Sequence, residues 1–214
     1  MRLLQRISAT GQREVLAWDG AGCRIVEGVA SIVDLAGRAI AAGEGLAASV
    51  AACGLGESVD AAAELAAGRL LAPIDHVDPA RILLTGTGLT HLGSAEGRDK
   101  MHKAAASGDQ VTDSMRMFLE GLEGGKPAGG AIGQQPEWFF KGTGSHLVGP
   151  GKPLAQPPYA RDGGEEPEIA GIFLIGPDGT PFRLGYCLAN EYSDHVTERH
   201  NYLWLAHSKL REAS

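Results

Sequence analysis

The 214-residue sequence predicts a globular protein of strands and helices in two unequal units. Three observations carry this reading: short strand signals around turns at the start, an Ala-rich helical stretch behind them, and a strand-turn-strand pattern late in the chain. Hydrophobic residues at 43% and charged residues at 21% are ordinary for a soluble domain, so disorder is not expected.

Up to about Val26 the chain reads as short strands, Val15–Trp18 and Cys23–Val26, around turns such as Asp19-Gly20. Ser31-Ile32-Val33-Asp34 then has the form of a capping box, and the run from Ile32 to about Ala52 is helical, with Leu35 and Ile40 inward and Gly43 and Gly45 as interruptions. A short helix from Val59 to Ala67 leads to Leu70-Leu71-Ala72-Pro73. A boundary between the units falls at Pro73 to Pro79. Ile82–Thr85 reads as a buried strand entering a glycine-rich loop from Gly86 to Gly93, and Met115, Phe118, Leu119 and Leu122 mark one helical face. Trp138–Lys141 is a strand. Ile169–Ile175, the turn Pro177-Asp178-Gly179 and Phe182–Ala189 read as a hairpin, after which Ser193 or Asp194 caps a helix carrying Val196 and Leu203 toward the core.

Composition excludes several functions. A net charge of -7 with scattered Lys and Arg argues against nucleic acid. Three widely separated cysteines give neither a disulfide framework nor a zinc knuckle, which fits a reducing cytoplasm. The N-terminus lacks the apolar stretch of a signal peptide, and no run approaches the ~20 apolar residues of a membrane span. The glycines Gly86, Gly88 and Gly93 do not make GxGxxG, and His195 and His200 are too far apart for HExxH.

Glu166 and Glu168, at i and i+2 in an extended segment, point to one side of a strand. Such a pair is usually a solvated edge. Here, however, it opens the first arm of the hairpin, and Glu191 closes the second, so the three carboxylates converge at one end. Their repulsion favours a hard cation, and Mg²⁺ takes carboxylate oxygens while keeping positions for water and substrate. Lys141, behind an aromatic run, is a solvated strand end or a group that holds a substrate oxyanion. His91, Ser94 and Glu96 lie on a loop of the kind that carries acid/base groups. His102 and His146 read as surface or structural.

These residues resemble the fumarylacetoacetate hydrolase (FAH) superfamily. The resemblance runs from Leu70–Pro73 and Ile82–Gly86 through Pro136-Glu137-Trp138-Phe139-Phe140-Lys141, similar to the family's P-x-x-F-x-K strand. It continues through Glu166-Pro167-Glu168, similar to its E-x-E metal strand, and Gly185-Tyr186-Cys187-Leu188-Ala189-Asn190-Glu191, similar to its G-Y-x-x-x-N-D segment. Gly133–Phe139 and Asn190–Glu198 resemble the GguC-like, sugar-acid branch more closely. The third ligand is usually Asp and here is Glu191. The usual Arg after it corresponds to His195, and the family's later Lys to His207 or nearby Lys209.

The resemblance implies an α+β fold: an FAH-type mixed β-roll, or barrel-like sandwich, over residues 76–214, preceded by a small N-terminal α/β domain over residues 1–75. It places Mg²⁺ or Mn²⁺ on Glu166, Glu168 and Glu191, with His91, Ser94, Glu96 and Lys141 as catalytic candidates. The implied activity is a lyase that dehydrates a 2-keto-3-deoxy-pentonate such as the arabinonate through a metal-stabilised enolate. An acylpyruvate or diketo-acid hydrolase is the alternative on the same metal. The family also continues beyond this point with a T-G-T-P-like segment that closes the roll, so an incomplete roll, and an inactive or partner-completed fragment, is a third expectation. The expected partners are a 2-oxo acid substrate and a second copy in a homodimer, with no membrane.

Overall fold

The computed structural model describes residues 1–88, 113–125, 127–135, 137–200 and 204–210. Strands β1 (Arg2–Ile7), β2 (Arg13–Trp18), β3 (Cys23–Val26) and β4 (Leu55–Val59) form an antiparallel sheet in that order. Helices α1 (Ile32–Ala42) and α2 (Leu46–Cys53) lie between β3 and β4 in the chain. Ser31 caps α1 by accepting the Asp34 N–H, and Gly43 ends it at φ 67, a left-handed conformation that a Cβ would disfavour. The helical run is therefore two helices, broken at the interruptions that Gly43 and Gly45 mark in the sequence.

Alternation on β2 and helical spacing on α1 meet in one core. Val15 and Ala17 project from the same side of β2 and join Val26, Val29, Ile32, Leu35 and Val50. Leu35 is completely enclosed, which stabilises the fold by about 2 kcal/mol at ordinary transfer coefficients. Gln5, buried in β1, ties three segments: its Oε1 accepts the Ile32 N–H at 2.8 Å, and its Nε2 donates to the Ala72 carbonyl and Asp75 Oδ1 at 3.0 Å each. The short helix α3 (Ala61–Ala66), capped by Asp60, returns the chain along β1, where Arg6 bridges Leu70.

Beyond this unit, β5 (Leu83–Gly88) pairs antiparallel with β6 (Glu137–Thr143), and helix α4 (Asp113–Gly124) stands where the apolar spacing predicts it. The expectation of a buried strand at Ile82–Thr85 is corrected. Leu83 is 67% exposed, because a two-stranded ribbon leaves one face uncovered by the described residues.

The late hairpin forms as predicted, from β7 (Pro167–Ile175) and β8 (Pro181–Asn190). Gly179 takes φ 86 in its turn, and Asp178 accepts the Thr180 N–H. On β8, Leu184 reaches back to pack on the N-terminal core. Two four-residue helices follow, α5 (His195–Glu198) and α6 (Leu205–Ser208). Asp194 caps α5, but Val196 is 43% exposed rather than inward, a second correction. The cap explains it: Asp194, only 3% exposed, turns its carboxylate inward to accept the N–H groups of Thr197 and Arg161, and a four-residue helix leaves Val196 on the outer side.

Every strand pair among the described residues is antiparallel, so the structure is an α/β assembly of antiparallel sheets. No helix among them is long and apolar enough to cross a membrane.

Candidate metal centre

The hairpin register places the acids. Pro167 pairs with Asn190 and Glu168 with Ala189, and one step further the Glu191 N–H donates to the Glu166 carbonyl at 2.9 Å. Asn190 Oδ1 accepts the Glu166 N–H at 3.0 Å, which fixes the backbone that presents the first carboxylate. Oxygens of Glu166, Glu168 and Glu191 lie within 4.8 Å of one another, as their sequence positions predict. A second grouping, Glu166, His195 and Glu198, meets the same limit and shares Glu166 with the first.

Two lysines stand among these carboxylates. Lys141, from β6, lies 3.2 Å from Glu191 Oε1. Lys209, just past α6, lies 2.9 Å and 3.0 Å from the two oxygens of Glu166, 3.2 Å from Glu191 Oε2 and 3.7 Å from Glu198. At 8% and 5% exposure, neither ammonium group is solvated as a surface lysine is, and both depend on the acids for their charge. His195 Nε2 donates to Glu166 Oε1 at 2.9 Å, while its Nδ1 is 3.6 Å from Asp162. Glu168 is exposed, and its carboxylate makes no ion pair or hydrogen bond among the described residues.

Electrostatics distinguish the groups. Burial works to raise the Glu166 carboxyl, but the Lys209 hydrogen bond and charge, with donors from His195 and Ser193, outweigh it and hold the group below the usual carboxylate range. Burial pulls Lys141 below the usual lysine range, more than Glu191 restores. Lys209 feels the same burial, yet Glu191, Glu166 and Glu198 more than offset it and push its pKa up. Lys209 is thus a fixed cation, and Lys141 gives up its proton more readily.

The donor set fits a hard divalent cation. Glu166, Glu168, Glu191 and Glu198 face two ammonium groups, so two negative charges remain in a cluster of oxygen donors.

Of the residues singled out in the sequence, the structure gathers Glu166, Glu168, Glu191 and Lys141. His91, Ser94 and Glu96 lie outside the described residues. Between the alternatives for the late basic residue, Lys209 sits among the acids, whereas His207 is exposed and lies beside the Trp204 ring. Asp162 and Glu198 carry no local signal that marks them in advance. The bridges joining Ser193 to Gly164 and to Lys209 bring Lys209 in, and they link segments far apart in the chain.

Solved structures of one enzyme share this architecture. The apo form of 2-keto-3-deoxy-D-arabinonate dehydratase superposes with a TM-score of 0.55 at 21% identity, over 98% of this chain and 61% of that one. A hexagonal crystal form of 2-keto-3-deoxyarabinonate dehydratase gives 0.59 at 21% identity, over 98% and 63%. The dehydratase complexed with magnesium and 2,5-dioxopentanoate gives 0.55 at 23% identity, over 98% and 61%. The fold is that of these dehydratases. The chain spans less than two thirds of their length. No protein-family model matches it, and no curated protein does.

Proposed function

We propose that this chain carries the metal centre of an FAH-type hydro-lyase that dehydrates a 2-keto-3-deoxy-pentonate, such as the arabinonate, to 2,5-dioxopentanoate. The observation that carries the proposal is the convergence of Glu166, Glu168 and Glu191 around buried lysines. It gains support from a shared fold with a dehydratase seen with magnesium and 2,5-dioxopentanoate.

Glu166, Glu168 and Glu191 would hold Mg²⁺ or Mn²⁺, which supplies Lewis-acid polarisation of a 2-oxo acid and so acidifies its C3 protons. Lys141 and Lys209 offer positive charge to the substrate's anionic oxygens and keep the carboxylates gathered. In the net reaction one C3 proton and the C4 hydroxyl leave as water, and the C5 carbon becomes the aldehyde by tautomerisation. His91, Ser94 and Glu96 remain our candidates for the proton transfers. The site belongs to the unit over residues 76–214, with residues 1–75 as the smaller N-terminal unit, and the assembly is a homodimer.

Purified protein incubated with Mg²⁺ and 2-keto-3-deoxy-arabinonate should yield 2,5-dioxopentanoate with the carbon chain intact. Release of pyruvate from a diketo acid, with no turnover of the deoxy sugar acid, would replace this reading with a carbon-carbon hydrolase. No turnover of either, at full Mg²⁺, would overturn the enzyme reading.

A further inference from the structure

We infer that His195 is a positioning residue that holds Glu166 for the metal, and that Gly164 is a glycine in order to seat the His195 ring. The inference rests on the metal reading given above. Gly164 and Ser193 exchange backbone hydrogen bonds of 2.8 Å and 2.9 Å, which locks the two segments together two residues before the histidine. Next to it, Asp194 donates its N–H to the Ser208 carbonyl at 2.8 Å, and beyond the histidine the Thr197 N–H donates to the Asp194 carboxylate at 2.9 Å. The backbone on either side of His195 is therefore pinned, and its ring folds back over Gly164.

A Cβ at residue 164 would overlap Nδ1 and Cε1 of that ring. Gly164 does not adopt a left-handed backbone, so no conformational need of its own calls for glycine there; the imidazole does. An ionised Glu166 only accepts, so His195 Nε2 bears the hydrogen in their 2.9 Å contact. Glu166 also accepts from the Ser193 hydroxyl and from Lys209, whose ammonium is shared with Glu191 and Glu198 and is repelled by any cation placed beside it. A packed ring holds Oε1 in one direction. The second oxygen is then presented in a fixed orientation, the ordinary task of a group that orients a metal ligand.

The test is titration calorimetry with Mn²⁺ on the full chain, with thermal melts to confirm folding. His195→Ala should weaken Mn²⁺ binding by about 10- to 100-fold. His195→Gln keeps a nitrogen donor and should recover most of the loss. Gly164→Ala should weaken binding while His195 is present and cost nothing once residue 195 is alanine, where no ring remains to be displaced. Unchanged affinity in His195→Ala, or an equal cost of Gly164→Ala in both backgrounds, would overturn the positioning role and leave the metal site standing. Should His195→Ala fail to fold, unweakened Mn²⁺ binding in Gly164→Ala would overturn the positioning role in its place. Absence of Mn²⁺ binding by the unaltered chain would remove both this inference and the metal reading.

Discussion

The N-terminal sheet and the late hairpin solve opposite problems. In the first, Val15, Ala17, Leu35 and Val50 close an apolar core, and the charged groups stay outside it as conventional ion pairs such as Arg69 with Glu64. In the second, the interior is given over to like charges: Glu166 and Glu191 are drawn together and then held by Lys141 and Lys209, while Ile169, Phe173, Tyr186 and Leu188 stand exposed on the strands. One region gains stability by burying carbon. The other spends it on assembling a charged centre, as functional sites commonly do.

Substitutions can break this contrast from either side. Glu168→Gln removes the one triad carboxylate without an ion-pair partner among the described residues, so the proposed Mg²⁺-dependent turnover should fall ~10²- to 10³-fold while the melt is unchanged. Steady-state assays across a Mg²⁺ series would show it, and unaltered turnover would count against the site. Leu35→Ala should do the reverse, costing about 2–5 kcal/mol in urea unfolding with little change in activity per folded molecule.

Acid should reveal a difference confined to the first region. The Arg69 hydrogen bond, with the charge of Arg6, lowers the Glu64 carboxyl from 4.5 to about 2 despite opposing burial. A depressed carboxyl stabilises the fold above its unfolded value, and that contribution fades as pH falls from 4.5 toward 2. The urea midpoint should therefore drop across that window, and Glu64→Gln should flatten the drop. The smallest effect is at the α1 cap, where Ser31→Ala should cost about 1 kcal/mol and leave metal binding untouched.

What could be read from sequence was what depends on neighbours along the chain. The hairpin was legible because its turn residues and apolar runs are contiguous, and the meeting of Glu166 with Glu191 follows from its register. β4 was not legible, since Gly56, Glu57 and Ser58 show no alternation and the strand forms by pairing with β3. The face of β5 was misjudged because an apolar run does not say whether anything covers it. Lys209 stayed ambiguous beside His207 because its arrival depends on a bridge to Ser193, and such closures leave no periodic mark. Val196 was misplaced because the apolar spacing of a helix has no force over a single turn.

Leu184 gives the boundary proposed near Pro73 a different meaning. That residue lies in the strand that ends at Asn190, one step from Glu191, and it packs on the core formed by α1, α2 and the first sheet. The first sheet and its helices are thus a wall against which the strand leading to Glu191 leans. Expressing residues 76–214 alone would remove that support and uncover Leu184, so a loss of metal affinity in the isolated piece would report a missing buttress rather than a missing ligand.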